Sequence, residues 1–231
     1  MLLGSSDRAA PRSRRRRALL HCSLLALLAP AAASSAFGAE RATRPVILVV
    51  GDSLSAEYGI ERGSGWVALL ERRLQSRQLG YDVVNASISG DTTAGGRSRL
   101  PALLTRHQPA VVVIELGGND ALRGLPLAST RANLEAMTRA AQDAGARVVV
   151  VGMQVPPNYG RRYAEDFAAI FPEVAARTKA ALVPFMLEGL TDAADVETNF
   201  QPDRIHPRAV AHPRILDNIW PRLQPLLRAG A

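Results

Sequence analysis

The sequence predicts a single three-layer α/β/α domain built on a doubly wound sheet of five parallel strands. Three observations lead there. Short apolar runs rich in β-branched residues recur along the chain, longer stretches of helical periodicity separate them, and the alternation is strict from the first run to the last. An uninterrupted apolar run suits a strand covered on both faces, and parallel neighbours joined by right-handed helical crossovers place helices on both sides of the sheet. A flavodoxin-like strand order is the expected arrangement.

The first strand is expected at Val46-Ile47-Leu48-Val49-Val50, after the polar stretch Glu40 to Arg44. Further strands are expected at Tyr81 to Asn85, Ala110 to Leu116, Arg147 to Gly152 and Ala181 to Phe185. Helical patterns fill the intervals at Trp66 to Leu79, Gly95 to His107, Ser129 to Ala144, Tyr163 to Lys179 and about Pro213 to Leu227. Ligands in such sheets gather at the carboxyl ends of the strands, so the loops opening at Gly51, Ala86, Gly117 and Met153 are where function is expected.

Ahead of this domain, Arg12 and Arg14 to Arg17 precede an apolar run from Ala18 to Ala29 and then small residues around Ala36-Phe37-Gly38. That pattern reads as a secretory signal peptide over residues 1–38, with the domain over 39–231. The run is about 12 residues, short of the roughly 20 that span a bilayer, so no stable membrane anchor is expected. The mature protein is then periplasmic or secreted, and the export route stays open. Removing the leader takes six of the 28 basic residues and one of the 21 acidic ones, leaving a net charge of +2. The remaining arginines are scattered, which excludes a nucleic-acid partner. The single cysteine, Cys22, lies in the leader, so the mature chain has no disulfide and no thiolate metal site.

Gly51-Asp52-Ser53-Leu54-Ser55 follows the first strand directly and sets the Ser53 hydroxyl at a strand end. Serine and aspartate there also cap helices and shape turns, so position alone makes no nucleophile. A nucleophile needs a base and an anion that holds the base in one tautomer, and Asp203-Arg204-Ile205-His206 carries both three residues apart. The other histidines beyond the leader serve less well. His107 ends a helical pattern, where capping is the usual role, and His212 has no acid at comparable spacing and reads as a surface or packing residue. Acyl transfer also requires donors for a developing oxyanion, each worth about 3 kcal/mol of transition-state stabilisation. The Gly90 N–H in Ala86-Ser87-Ile88-Ser89-Gly90-Asp91 and the Asn119 amide in Gly117-Gly118-Asn119-Asp120 are candidates, although each segment alone is ordinary turn chemistry. No Gly-x-Ser-x-Gly occurs, which excludes the nucleophile elbow of the α/β-hydrolases.

Gly51-Asp52-Ser53-Leu54, Gly90, Gly117-x-Asn119-Asp120 and Asp203-x-x-His206 resemble the four ordered sequence blocks of the SGNH (GDSL) hydrolases, and the resemblance covers nearly the whole mature chain. Within that family the chain looks closest to the multifunctional bacterial thioesterase, arylesterase and lysophospholipase type, on the segments from Val84 to Thr93 and from Pro157 to Tyr163. The resemblance implies a serine esterase with Ser53 as nucleophile, His206 as base and Asp203 as orienter. It implies the Ser53 N–H, Gly90 N–H and Asn119 amide as oxyanion donors, and neither metal nor organic cofactor. Two positions depart from the pattern. Arg204 stands where a small residue, often glycine, is usual, and Arg208 stands where asparagine is common; both read by default as solvated.

The apolar loop Ala121 to Leu127 and the segment Met153 to Tyr159 follow the third and fourth strands, and Leu122, Pro156 and Tyr159 are the candidates there for lining a groove. Packing over the sheet edge explains the same residues equally well. The expected partner is a small-molecule ester or lipid, and the oligomeric state is open. Two other readings compete: a carbohydrate O-acetyl esterase with the same triad, and a noncatalytic binding module on the same scaffold. A phosphate or flavin binder is weaker, because the first loop lacks a glycine-rich cradle.

Overall fold

The computed structural model describes residues 44–155, 157–192 and 195–227. The expected signal peptide and Pro156 lie outside the described residues. The sheet has five parallel strands, β1 Val46–Gly51, β2 Asp82–Asn85, β3 Val111–Glu115, β4 Arg147–Val151 and β5 Ala181–Val183, in the order β2-β1-β3-β4-β5. That is the flavodoxin-like order, and β1 and β3 at its centre are buried along nearly their whole length. Burial on both faces explains the absence of polar–apolar alternation.

Helix α1 (Trp66–Ser76) and helix α7 (His212–Leu223) pack together on one face, and α2 (Thr93–His107), α4 (Leu127–Asp143) and α5 (Arg161–Thr178) pack side by side on the other. Trp66, Leu70 and Leu74 of α1, Leu134 and Met137 of α4, and Phe167 and Phe171 of α5 are fully buried against the strand aliphatics. Two short helices, α3 (Gly118–Leu122) and α6 (Val196–Asn199), lie in the loops that follow β3 and β5.

Several boundaries differ from the sequence expectation for local reasons. The last strand stops at Val183 because Pro184 has no N–H to continue a ladder. Helix α2 starts at Thr93, two residues early, because the Thr92 hydroxyl accepts the Gly95 N–H and caps it. The stretch read as the apolar loop Ala121 to Leu127 begins inside α3 and ends at the start of α4. Helix α7 stops at Leu223, and residues Gln224–Leu226 form a 3-10 turn.

Parallel connectivity brings the strand ends together: Gly51 of β1 is paired with Glu115 of β3, and the backbones of β4 and β5 close on each other just beyond Val151. There a Cβ on Gly152 would stand 2.2 Å from the Pro184 carbonyl oxygen and 2.8 Å from that of Val183. We expect Gly152→Ala to force these backbones apart and to cost about 1–3 kcal/mol, read as a lower urea midpoint at unchanged m-value.

Candidate active site

The chain leaves β1 at Gly51 into a tight loop in which the Asp52 carbonyl accepts the Ser55 and Ala56 N–H groups at 3.2 and 2.9 Å. The turn leaves the Ser53 side chain half-exposed at the strand end. A second loop, after β5 and α6, brings Asp203 and His206 to the same edge. An antiparallel bridge between Phe200 and Pro207 closes its base, and the Gln201 N–H donates to the His206 carbonyl at 2.8 Å. Inside the turn, Asp203 Oδ1 accepts the N–H groups of Ile205 and His206, each at 3.0 Å, so one carboxylate oxygen builds the turn and the other is free for the ring. His206 Nδ1 lies 2.7 Å from Asp203 Oδ2, and His206 Nε2 lies 2.9 Å from Ser53 Oγ. Asp203 at Nδ1 fixes the tautomer in which Nδ1–H donates to the carboxylate and Nε2 accepts from the Ser53 hydroxyl. Partial burial raises the Asp203 carboxyl, but the donors from His206 and Ile205 outweigh it and hold the group below its usual range.

The expected oxyanion donors lie on the loops that follow β1, β2 and β3, at the same edge of the sheet. Among the described residues no protein acceptor takes the Ser53 or the Gly90 N–H. Gly90 adopts φ +79, a conformation that glycine enters without a steric penalty. Its loop is held by Arg99 of α2, which donates to the Asp91 carboxylate at 2.8 Å, to the Ala86 carbonyl, and to the Gly51 carbonyl at 3.3 Å. Asn119, in the first turn of α3, donates from Nδ2 to Asp52 Oδ2 at 3.0 Å, which orients the amide and leaves its second N–H to point elsewhere. Its neighbour Asp120 is buried and accepts from the Thr93 N–H at 2.8 Å and from the Thr93 hydroxyl, tying the start of α2 to α3.

Leu122 sits half-buried at the end of α3, and Tyr159 is exposed on a 3-10 turn whose ring stacks on Tyr163 at 6.2 Å. Tyr163 in turn donates to the Ala121 carbonyl at 3.1 Å and so joins the two segments.

Four residues that sequence reasoning did not single out shape the site. The Tyr58 ring lies 4.4 Å from the His206 imidazole, and its carbonyl accepts from Gln201 Nε2 at 2.9 Å. Glu57 closes the loop beneath it by accepting the Gly63 and Gly65 N–H groups. Glu115, the last residue of β3, is fully buried behind Asp52. Only Glu115 left a trace in the sequence, as a lone carboxylate in a strand buried on both faces. Burial raises the Asp52 carboxyl to about 6 against lowering by its hydrogen bonds, and burial followed by the charge of Asp52 raises Glu115 well above the usual range.

Of the two roles expected for His212 it takes the packing one: it is buried, and its Nδ1 accepts the Trp66 N–H at 3.0 Å and so caps α1. Arg208 is exposed, as expected, and its Nε donates to the Phe200 carbonyl at 2.6 Å. Arg204 is exposed but carries φ +56, the reason glycine suits that position. Among the described residues no group of three or more His, Cys, Asp or Glu side chains is arranged to hold a metal ion, and no helix is long and apolar enough to cross a membrane.

A five-stranded doubly wound sheet with a Gly-Asp-Ser turn after its first strand and an Asp-x-x-His turn after its last defines the SGNH class of α/β proteins. The chain belongs to the GDSL-like lipase/acylhydrolase family, whose model matches residues 49–213. It is 53% identical over 188 residues to esterase TesA of Pseudomonas aeruginosa, covering 81% of this chain and 92% of that one. It is 42% identical over 186 residues to thioesterase 1/protease 1/lysophospholipase L1 of Escherichia coli K12, covering 80% and 86% respectively. The crystal structure of the psychrotrophic esterase EstA from Pseudoalteromonas sp., inhibited by monoethylphosphonate, superposes with a TM-score of 0.72 at 38% identity, over 78% of this chain and 97% of that one.

Two predictions concern the turn that carries His206 and the residues that brace it. Burial holds His212 neutral, lowering it from 6.5 to about 4. The unfolded chain therefore takes up this proton first, and the contribution present above pH 6.5 is lost as pH falls toward 4, on the order of 3 kcal/mol in all. Urea unfolding at pH 7 and pH 5 should show a smaller stability difference in His212→Gln than in the wild type. Arg204→Gly should relieve the left-handed conformation and gain about 0.5–1 kcal/mol after the entropy of the more flexible unfolded chain is subtracted, a rise of about 1–4 °C in Tm, with esterase kcat unchanged.

Proposed function

We propose that this protein is an exported serine carboxylic ester hydrolase that works through an acyl-enzyme on Ser53. One observation carries the reading: the continuous hydrogen-bonded chain from Asp203 through His206 to Ser53 at the carboxyl end of β1. Ser53 Oγ attacks the ester carbonyl carbon while His206 Nε2 takes its proton, and Asp203 stabilises the imidazolium through Nδ1–H. The carbonyl oxygen, now an oxyanion, is met by the Ser53 and Gly90 N–H groups and the Asn119 amide. His206 returns the proton to the leaving alcohol or thiol. Water, deprotonated by the same nitrogen, then attacks the acyl carbon and releases the acid.

Aryl esters, acyl esters, thioesters and lysophospholipids are the substrate classes, in line with the names of the esterase, thioesterase and lysophospholipase relatives. Among the described residues the large apolar side chains that stay exposed are Tyr58, Ile88, Leu125, Tyr159, Ile205 and Val210. All six stand in loops or turns that follow strands at the edge where Ser53 lies. A rim of this kind favours an apolar acyl or aryl group over a bare acetyl sugar. Leu122 and Tyr159 would line it on the α3 side. The basic leader over residues 1–38 supports export, with the working enzyme in the periplasm or outside the cell.

The test is hydrolysis of p-nitrophenyl acetate, butyrate, octanoate and palmitate by the mature chain. Ser53→Ala and His206→Ala should each lose about 10⁴-fold or more in kcat, and a p-nitrophenyl alkylphosphonate should label the wild type once and Ser53→Ala not at all. Esters longer than acetate should be turned over faster than acetylated sugars. Normal turnover in Ser53→Ala would sink the mechanism.

A further inference from the structure

The proposed chemistry uses Asn119 but leaves unexplained why a fully buried carboxyl, Glu115, stands two hydrogen bonds behind it. The space for that carboxyl is provided by Gly51, where a Cβ would stand 2.6 Å from Glu115 Oε2. Glu115 Oε2 accepts the Asp52 N–H at 3.2 Å and the Ser55 hydroxyl at 2.6 Å, and Ser55 Oγ accepts the Trp66 indole N–H at 3.1 Å. One oxygen of Glu115 is thereby satisfied by donors from the nucleophile loop. The other, Oε1, is buried and meets no N–H or O–H donor, and the Asp52 carboxyl stands close enough for the two acids to act on each other's ionisation. Two adjacent buried carboxyls do not readily ionise together, so one of them keeps a proton. Asp52 already accepts on both oxygens, from the Leu54 N–H at 3.0 Å and from Asn119 Nδ2 at 3.0 Å, so it is the partner that gains from its negative charge. The proton therefore belongs on Glu115.

We propose that Glu115 is a positioning residue that acts as a neutral carboxylic acid: it donates its proton to Asp52, and Asp52, so fixed, aims the Asn119 amide at the oxyanion. The inference rests on the oxyanion role proposed for Asn119. The charged groups that face the pair are few. Asp52 is the charge that acts on Glu115, and His206, from the loop after β5, acts on Asp52. Ser55 and Trp66, from the β1 loop and α1, bring only neutral dipoles. Burial, then the Asp52 charge, raises Glu115 in the same sense and favours its acid form. Once it ionises at high pH, two adjacent carboxylates repel and the hold on Asn119 is lost. Asn119 meets charge that exists only in the transition state, so the effect falls on kcat and not on KM.

The experiment compares wild type, Glu115→Gln, Glu115→Ala, Asn119→Ala and the Glu115→Ala/Asn119→Ala double variant on p-nitrophenyl butyrate from pH 5 to 10, well below each Tm. Glu115→Gln keeps a donor toward Asp52 and an acceptor toward Ser55. It should hold kcat within about 5-fold at pH 7 and lose the alkaline fall in kcat. Glu115→Ala should lose about 10–100-fold in kcat with KM within about 2-fold, and should cost little more when Asn119 is already alanine. Infrared difference spectra at pH 8 should show a protonated carboxyl band that Glu115→Gln removes. Loss of kcat in Glu115→Gln as deep as in Glu115→Ala, a wild-type spectrum without that band, or full additivity in the double variant overturns the proposal. Phosphonate labelling of Ser53 carried to completion reports the nucleophile and its base, with Asn119 affecting only its rate, so a chain that labels to one equivalent yet fails these tests refutes this inference alone.

Discussion

The carboxyl group of Glu115, sealed at the end of β3, is the point from which the active edge is organised. Parallel pairing of β1 with β3 sets Gly51 beside Glu115, and the missing side chain at Gly51 lets the carboxyl reach across. From there it gathers the Asp52 N–H and the Ser55 hydroxyl, so the loop that carries Ser53 is fixed from beneath. A charged residue in such a place would ordinarily be costly, because burial removes its hydration. Holding the group as an acid beside a single anion removes most of that cost, and the buried hydrogen bonds make the loop rigid where rigidity serves a nucleophile.

Each remaining part of the site is placed by a polar tie to a different layer of the fold. Arg99 reaches from α2 to two positions on the loop after β2 and to the end of β1 at Gly51, and so holds the Gly90 turn against the start of the nucleophile loop. Asp120 holds the start of α2 against α3, which sets the first turn from which Asn119 projects. Gln201 links the Tyr58 carbonyl to the turn that carries His206, and His212 braces the end of the same turn against α1. The apolar core supplies the stiffness, since side chains close-packed around β1 and β3 leave the strand ends little room to shift. Polar ties at the rim then convert that stiffness into a serine, a histidine and an aspartate held at 2.9 and 2.7 Å.

Arg204 illustrates how this edge tolerates local strain. Its left-handed backbone is compelled by the Asx turn at Asp203 and by the bridge between Phe200 and Pro207, both of which serve the position of His206. The same turn that costs stability at Arg204 delivers the imidazole. Exposed apolar side chains follow a similar logic: they are confined to the loops at this edge, where a substrate can cover them, and the rest of the described surface carries none of comparable size.

Period and composition were enough to place the five strands and the helices between them, because strands buried on both faces must be apolar throughout and parallel neighbours must be joined by crossovers, and the flavodoxin-like order expected of such a sheet is the one observed. The positions of Ser53, Gly90, Asn119, Asp203 and His206 were legible too, since each lies in a loop that the topology sends to one edge. Pro126 and the Thr92 cap shifted helix starts by residues that periodicity alone does not resolve. What only the tertiary structure decided is how side chains far apart in sequence meet. Glu115 was hidden in an apolar run, Tyr58 in a loop without a motif, and His212 beside a proline, and each takes its role from a partner on another element: Asp52, His206 and Trp66 respectively. Local sequence specifies which faces are apolar and where the chain turns. Which buried polar atom finds which partner depends on distances set when the layers close, and no single segment contains that information.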